Sequence, residues 1–380
     1  MPRKYFSGLI LILTCILIII CVSEITLCFT FPTPNKYYLW LPSWKAIFKP
    51  YPGIMPGVTG NVVFKTNSEG VRGDELTDKQ RIKILAVGGS TTECLYIDQQ
   101  KTWPYILQNN LSSAYRQDVW VGNIGRSGLS TTGNLIELKY LLPQYRKIDL
   151  IIALVGFNDF QSALLNTFIQ NNLKSDREKI EMVFVKHPSR IGRFYENSAL
   201  WKIMQKFINY YSRRNKGIVE DTAGSWYIGA RNARKRASQT SNNLPDLTSS
   251  LTVFENNINE MIDLAKERSI RIIFLTQPYI WNKNLTPAEK DLLWFGFTDD
   301  KKNYYSVAAL ANGLKKFNLR LAEVCKRRNV ECIDLESIIP QDTSVFYDDV
   351  HFNEGGCLKV ADVVTGYLVG RGENKIPAPI

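Results

Sequence analysis

Histidine is almost missing from this chain: 380 residues contain two, His187 and His351. Any chemistry that needs an imidazole must use one of them. None of the seven cysteines is in C-x-x-C spacing, which argues against a structural zinc site. Acidic residues are in deficit, 36 against 47 Lys and Arg, for a formal charge of +11. Such a charge suits nucleic acid, an anionic membrane surface or an acidic polymer. There is no zinc-finger spacing, no RNA-binding motif and no basic heptad region, so nucleic acid is the weakest of the three. Internal repeats are absent. What the chain does have is 45% apolar and 12% aromatic residues, enough for a sizeable core.

The apolar residues are unevenly spread. Arg3 and Lys4 precede an almost unbroken apolar run, Gly8 to Val22, and after Ser23 and Glu24 a second run reaches Phe31. As a helix the first run spans roughly 22 Å, short of a hydrocarbon core of about 30 Å, but extended through Phe31 it suffices. Basic residues ahead of the run predict a cytoplasmic N-terminus and an extracytoplasmic remainder. A cleaved signal peptide is the rival reading, but no A-x-A-like site follows the run. Residues 1–31 are thus expected to form a cytoplasmic tip and a single transmembrane anchor. Cys15, Cys21 and Cys28 fall within it. Of the other cysteines, Cys94, Cys325, Cys332 and Cys357, the second and third flank a predicted helix-to-strand turn. They could pair in an oxidising compartment or remain buried thiols.

Residues 32–80, rich in proline and aromatics at first and polar later, suggest an extended connector. From residue 81 the pattern is regular. The apolar runs RIKILAVGG, VWVGNIG, IDLIIALVGFND, IRIIFLTQP and VECIDL alternate with segments of helical period, and a last helix runs from about Gly355 to Leu368. Short, continuous apolar strands alternating with helices predict a parallel sheet covered on both faces. The expected fold is flavodoxin-like, a three-layer α/β/α sandwich with a five-stranded parallel sheet ordered 2-1-3-4-5 over residues 81–370. A short tail, 371–380, follows. One segment breaks the rhythm. Residues 160–250 hold 15 Lys and Arg against 7 Asp and Glu, so about +8 of the +11 charge lies there. They are expected to form a partly helical insertion over the rim of the sheet. Its face is either solvated or turned toward an anionic polymer or lipid surface.

In open parallel sheets, sites form beyond the carboxyl ends of the strands where the winding order reverses. Ser90 ends the first strand after Gly88 and Gly89, at the start of a helix, where free N–H groups favour negative charge. Taken alone, Ser90 could merely cap that helix. Gly128 follows the second strand and Asn158 the third. Asp348 lies three residues before His351, a spacing that lets a carboxylate orient an imidazole and stabilise its protonated form. His187, in VKHPSR within the insertion, reads as a surface-loop residue.

These blocks, GGSTTE, NIGRSG, GFND and DDVH, resemble those of the SGNH hydrolases, also called GDSL esterases and lipases. The resemblance covers roughly Ile82 to Leu368 less the insertion. NSEGVRG before the first strand and TQP after the fourth also resemble a membrane-anchored bacterial branch of that superfamily. It implies Ser90 as nucleophile, with His351 as base and Asp348 as its orienting acid. The backbone N–H groups of Ser90 and Gly128 and the Asn158 amide would form the oxyanion hole. Asp159 would fix its loop, and Asp349 is the rival to Asp348. No metal or organic cofactor is implied. One departure matters. Gly89 stands where the best-known first block, G-D-S-L, has aspartate. This points away from lipases and toward enzymes that handle acyl groups on cell-envelope sugars, esterases and O-acyltransferases alike. A non-catalytic scaffold that binds an anionic polymer is the reading from another class, and the presence of all five site positions argues against it.

Overall fold

Five of the apolar runs become five parallel strands. The computed structural model describes residues 3–30, 36–165, 175–188, 198, 204, 218–298 and 303–370. In chain order the strands considered are β1 (Lys45–Pro50), β2 (Val62–Lys65), β3 (Ile82–Gly88), β4 (Val119–Asn123), β5 (Leu150–Leu154), β6 (Ile218–Ala223), β7 (Arg271–Leu275) and β8 (Glu331–Ile333). The helices are α1 (Arg3–Thr30), α2 (Ser90–Glu93), α3 (Trp103–Tyr115), α4 (Thr131–Leu141), α5 (Phe157–Leu164), α6 (Trp226–Lys235), α7 (Thr248–Glu267), α8 (Val307–Arg328) and α9 (Glu354–Gly370).

The main sheet runs β8-β7-β5-β3-β4, all pairs parallel. Numbered among themselves and read from β4, the strands follow the order 2-1-3-4-5 expected from the sequence. Every residue of β4 and β5 is buried, which is why these strands are continuously apolar rather than alternating. The chain moves from β3 to β4 in one direction and from β5 to β7 to β8 in the other. Right-handed crossovers therefore place the connecting helices on opposite faces. Accordingly α3 packs with α9, while α4, α5 and α8 gather around α7. The reversal point lies between β3 and β5, whose carboxyl ends carry Ser90 and Asn158.

Residues expected to form an extended connector are instead folded from Tyr37 onward into the same compact unit as the main sheet. The reason is a period-2 pattern that prolines obscure in the sequence. In β1 Ala46 and Phe48 point inward and in β2 Val62 and Phe64 do, so the two strands pair antiparallel over a small second core. Burying a phenylalanine contributes roughly 1.5–3 kcal/mol, enough to hold such a segment down. Strand β6, from the insertion, pairs parallel with β1.

The insertion is not a uniformly solvated basic face. Arg231 on α6 is buried and donates to the carbonyls of Ile54 at 2.6 Å, Leu292 at 3.0 Å and Tyr347 at 3.0 Å. Arg234 donates to the carbonyls of Phe295 and Tyr305. These two cations bind the folded part of the insertion to Ile54, to the stretch 292–305 and to the residue that precedes Asp348. Most of 186–217, including the expected helix ALWKIMQKFINYY, lies outside the described residues.

Met1–Lys36 and Lys186–Gly217 form a separate, smaller unit. It contains α1, whose Ile and Leu side chains between Ile10 and Ile25 are exposed, and within it Ser198 Oγ donates to Glu24 at 2.8 Å. Among the described residues no helix is long and apolar enough to cross a membrane.

Candidate active site

Strand β3 ends at Gly88, and Gly89 launches α2 with Ser90 as its first residue. Side chains are excluded from this turn by close approach. A Cβ at Gly89 would lie 2.1 Å from Asn158 Nδ2, and one at Gly88 would lie 2.4 Å from the Leu154 carbonyl. In this chain the Asn158 amide occupies the space that a side chain at position 89 would enter.

The four-residue helix α2 is gripped from below. Buried Arg72 donates to the carbonyl oxygens of Glu93, Cys94 at 2.8 Å and Ile97 at 2.7 Å, and its guanidinium lies 4.3 Å from the centroid of the Phe64 ring. Desolvation lowers the Arg72 pKa to about 10 against the pull of Cys94 and Glu93, so it remains a cation at neutral pH. Asn123 at the end of β4 donates to the Thr92 carbonyl at 2.7 Å. The Glu93 side chain reaches the next loop, where one carboxylate oxygen accepts from the Ser127 N–H at 2.8 Å and from its hydroxyl. Burial raises the Glu93 pKa, against the opposing effects of Ser127 and Arg72. The clamp holds the residue before Gly128, which turns with φ of +80°. Below α2, Cys94 and Cys357 are free thiols with sulfurs 3.8 Å apart. Cys325 and Cys332 are likewise free.

Asp348 and His351 follow β8 and come round to the same edge. His351 Nε2 lies 2.7 Å from Ser90 Oγ, and its Nδ1 lies 2.7 Å from Asp348 Oδ2. Four donors converge on the fully buried Asp348 carboxylate. Oδ1 accepts from the N–H groups of Val350 at 3.0 Å and His351 at 2.8 Å, and Oδ2 also accepts from Trp294 Nε1 at 3.0 Å. Burial alone would raise its pKa, but His351 and these hydrogen bonds bring it down to about 2. For His351, burial disfavours the imidazolium, yet Asp348 outweighs it, with Asp349 and Glu93 adding to the pull, and the pKa ends above the ordinary 6.5. The Tyr347 ring stacks on the imidazole at 5.6 Å between centroids.

Asp349 faces elsewhere. It accepts from Trp281 Nε1 at 2.8 Å and from the N–H groups of Trp294 at 2.8 Å and Phe295 at 3.1 Å. Asp159 accepts from the Thr131 hydroxyl at 2.5 Å and from its N–H, tying the third block to α4. Asn158 Nδ2 donates one hydrogen to the Leu129 carbonyl at 2.8 Å, leaving its second hydrogen for another acceptor. Among the described residues no hydrogen bond engages the N–H of Ser90 or of Gly128. The five positions named from the sequence are therefore brought to one edge. His187 is not among them: it belongs to the smaller unit.

Arg72, Glu93, Ser127 and Trp294 escaped the sequence reading as members of this site. Arg72 lies in NSEGVRG, visible only as a motif, and Glu93 passed as part of a helix start. Nothing near Trp294 signals its role, because its partner is 54 residues away.

A serine in line with a half-buried histidine and a buried aspartate, at the switch point of a doubly wound sheet, is the arrangement of a serine hydrolase. A sequence profile of the GDSL-like Lipase/Acylhydrolase family matches residues 86–357, and the chain belongs to that family. It is an ester-acting hydrolase. Among solved structures it is similar to Axe2, an acetylxylan esterase from Geobacillus stearothermophilus, at 13% identity, covering 80% of this chain and 100% of that one with a TM-score of 0.42. It is also similar to a lipolytic protein of the G-D-S-L family from Veillonella parvula (14% identity, 77% and 99% covered, TM-score 0.40). A third is the aryl esterase of M. smegmatis (12% identity, 76% and 99% covered, TM-score 0.41). No curated protein matches the chain.

Proposed function

We propose that the protein cleaves an ester through a covalent acyl-enzyme on Ser90. The observation that carries this reading is the continuous line from Ser90 Oγ through His351 to Asp348, with both contacts at 2.7 Å. Ser90 Oγ attacks the carbonyl carbon while His351 Nε2 takes its proton. The imidazolium, held by Asp348, then gives that proton to the departing alkoxide. Water repeats the sequence in reverse and releases the acid; an acceptor hydroxyl in place of water would make the same intermediate an acyl transfer. The Ser90 and Gly128 N–H groups and the second Asn158 hydrogen stabilise the oxyanion, each donor contributing about 3 kcal/mol.

The substrate in this reading is an acylated carbohydrate or lipid of the cell envelope, with α1 as a membrane anchor that holds the domain on the extracytoplasmic side. The exposed apolar side chains of α1 and Arg3 and Lys4 ahead of its run support the anchor. The excess of Lys and Arg in the insertion at about 160–250 supports an anionic polymer or lipid surface as a partner.

Intact mass of the purified full-length protein after fluorophosphonate treatment tests the nucleophile. A single adduct on wild type, absent from Ser90→Ala, is expected. An adduct that persists in the variant would place the reactive residue elsewhere.

The pH profile gives a second check. His351 must be neutral to accept the Ser90 proton, so kcat/KM should rise with pH through the His351 pKa and be lost below it. With that pKa raised, the midpoint of the acid limb is expected above pH 6.5. A midpoint below the ordinary imidazole value would mean that Asp348 is not paired with the free enzyme's base.

A further inference from the structure

The acid–base end of the site is backed by a helix of the insertion. On α6, Tyr227 and Arg231 stand one helical turn apart, and the guanidinium carbon of Arg231 lies 4.9 Å from the centroid of the Tyr227 ring. Both side chains are buried. Arg231 reaches carbonyls of three separate segments. Its Nη1 donates to Ile54, its Nε to Leu292 and its Nη2 to Tyr347. Burial lowers the Arg231 pKa and Asp348 opposes that shift, and a guanidinium keeps its charge at neutral pH.

Two of those carbonyls lead to the triad. Tyr347 is the residue before Asp348. Its own N–H donates to the His351 carbonyl at 3.1 Å, and its ring stacks on the imidazole with 8° between the planes. A displaced Tyr347 therefore moves His351 by two routes, the backbone hydrogen bond and the ring. Leu292 lies two residues before Trp294, whose indole N–H donates to Asp348. Tyr227 adds its ring to the same wall, edge-on to Tyr347 at 6.0 Å and to Trp294 at 6.1 Å between centroids. Proton transfer along Ser90, His351 and Asp348 needs close alignment. A misplacement of about 1 Å, caused by a change away from the chemistry, can cost about 100-fold in rate.

We propose that α6 is a working part of the active site and that Arg231 is a positioning residue for the His351–Asp348 pair. The inference rests on the triad reading above. None of the blocks GGSTTE, NIGRSG, GFND and DDVH contains this brace; the insertion supplies it. Arginine suits the task because its planar fork carries five donors in fixed directions. Lysine in its place would keep the charge, but its donors share one nitrogen, so it cannot hold three separate segments at once.

Full-length Arg231→Lys and Arg231→Gln separate geometry from charge. With p-nitrophenyl acetate, well below the melting temperature of each variant, kcat should fall about 10- to 100-fold in both, with KM within about 2-fold of wild type. The pH profile should part them. A cation near Asp348 disfavours a proton on His351, so the acid limb of kcat/KM should keep its midpoint in Arg231→Lys and move to higher pH in Arg231→Gln. Wild-type kcat in both folded variants would overturn the proposal. A higher KM at unchanged kcat would also overturn it, by making Arg231 a substrate contact. Identical midpoints in the two variants would do the same, by marking a general loosening of the fold. Should neither variant fold, Tyr227→Leu tests the same wall: a kcat loss of about 10-fold at wild-type KM is expected, and an undiminished kcat would overturn the proposal. Fluorophosphonate labelling keeps the two readings apart. A labelled, active wild type with undiminished variants sinks this inference alone, whereas an unlabelled, inactive wild type removes the triad with it.

Discussion

Ester turnover by His351→Ala is expected to fall about 10⁶-fold, while His187→Ala keeps the wild-type rate. The chain has only these two histidines, so the pair of variants separates catalytic from incidental imidazole without ambiguity. His351 touches both Ser90 Oγ and Asp348, whereas His187 belongs to the smaller unit, which holds none of the site residues. Without the imidazole, Ser90 has no base to take its proton and the leaving group has no acid. Ser90→Ala should be equally damaging, and the double variant no worse than either single one, because the residues act as a unit. Steady-state kcat with p-nitrophenyl acetate, with a thermal melt to confirm folding, measures this. Equal loss in the two histidine variants would remove the basis for assigning His351.

Asp348→Asn is expected to lower kcat by about 10⁴-fold with the fold retained. The reason lies in the four donors around the carboxylate. Whichever way the new amide turns, its NH₂ meets N–H groups: Val350 and His351 on one side, His351 Nδ1 and Trp294 Nε1 on the other. The cheapest adjustment is for the imidazole to switch tautomer, putting its proton on Nε2, where it faces Ser90 and cannot act as a base. Asp349→Asn should behave differently. Its carboxylate joins Trp281, Trp294 and Phe295 and does not contact His351 in the described structure, so the loss belongs to stability, about 1–3 kcal/mol for a disrupted buried acceptor. Denaturant titration and kcat measured on both variants decide the matter. A larger kcat loss in Asp349→Asn would exchange the roles of the two aspartates.

The main sheet was legible because strands buried on both faces must be continuously apolar, as in β5, and because right-handed crossovers leave few ways to arrange five of them. The site blocks were legible for a related reason. A turn that admits no Cβ demands glycine, and a carboxylate that orients a histidine three residues later makes its contacts within one loop. In the small sheet, the inward positions of β1 and β2 alternate over only a few residues each, and their parallel partner β6 is contributed by a segment over 150 residues away. Nothing local advertises such a pairing.

The sequence by itself therefore determined the alternation of strand and helix, and the glycines, serine, asparagine, aspartate and histidine at the sheet's edge. These follow from backbone sterics and from burial with a short period. Only the tertiary structure decided what holds them. Arg72 under α2, Glu93 on the Gly128 turn, Trp294 on Asp348 and Arg231 on the Tyr347 carbonyl are long side chains that satisfy buried polar groups far away in sequence. A buried carbonyl or carboxylate must find a donor, but nothing in its own neighbourhood says which residue will supply it.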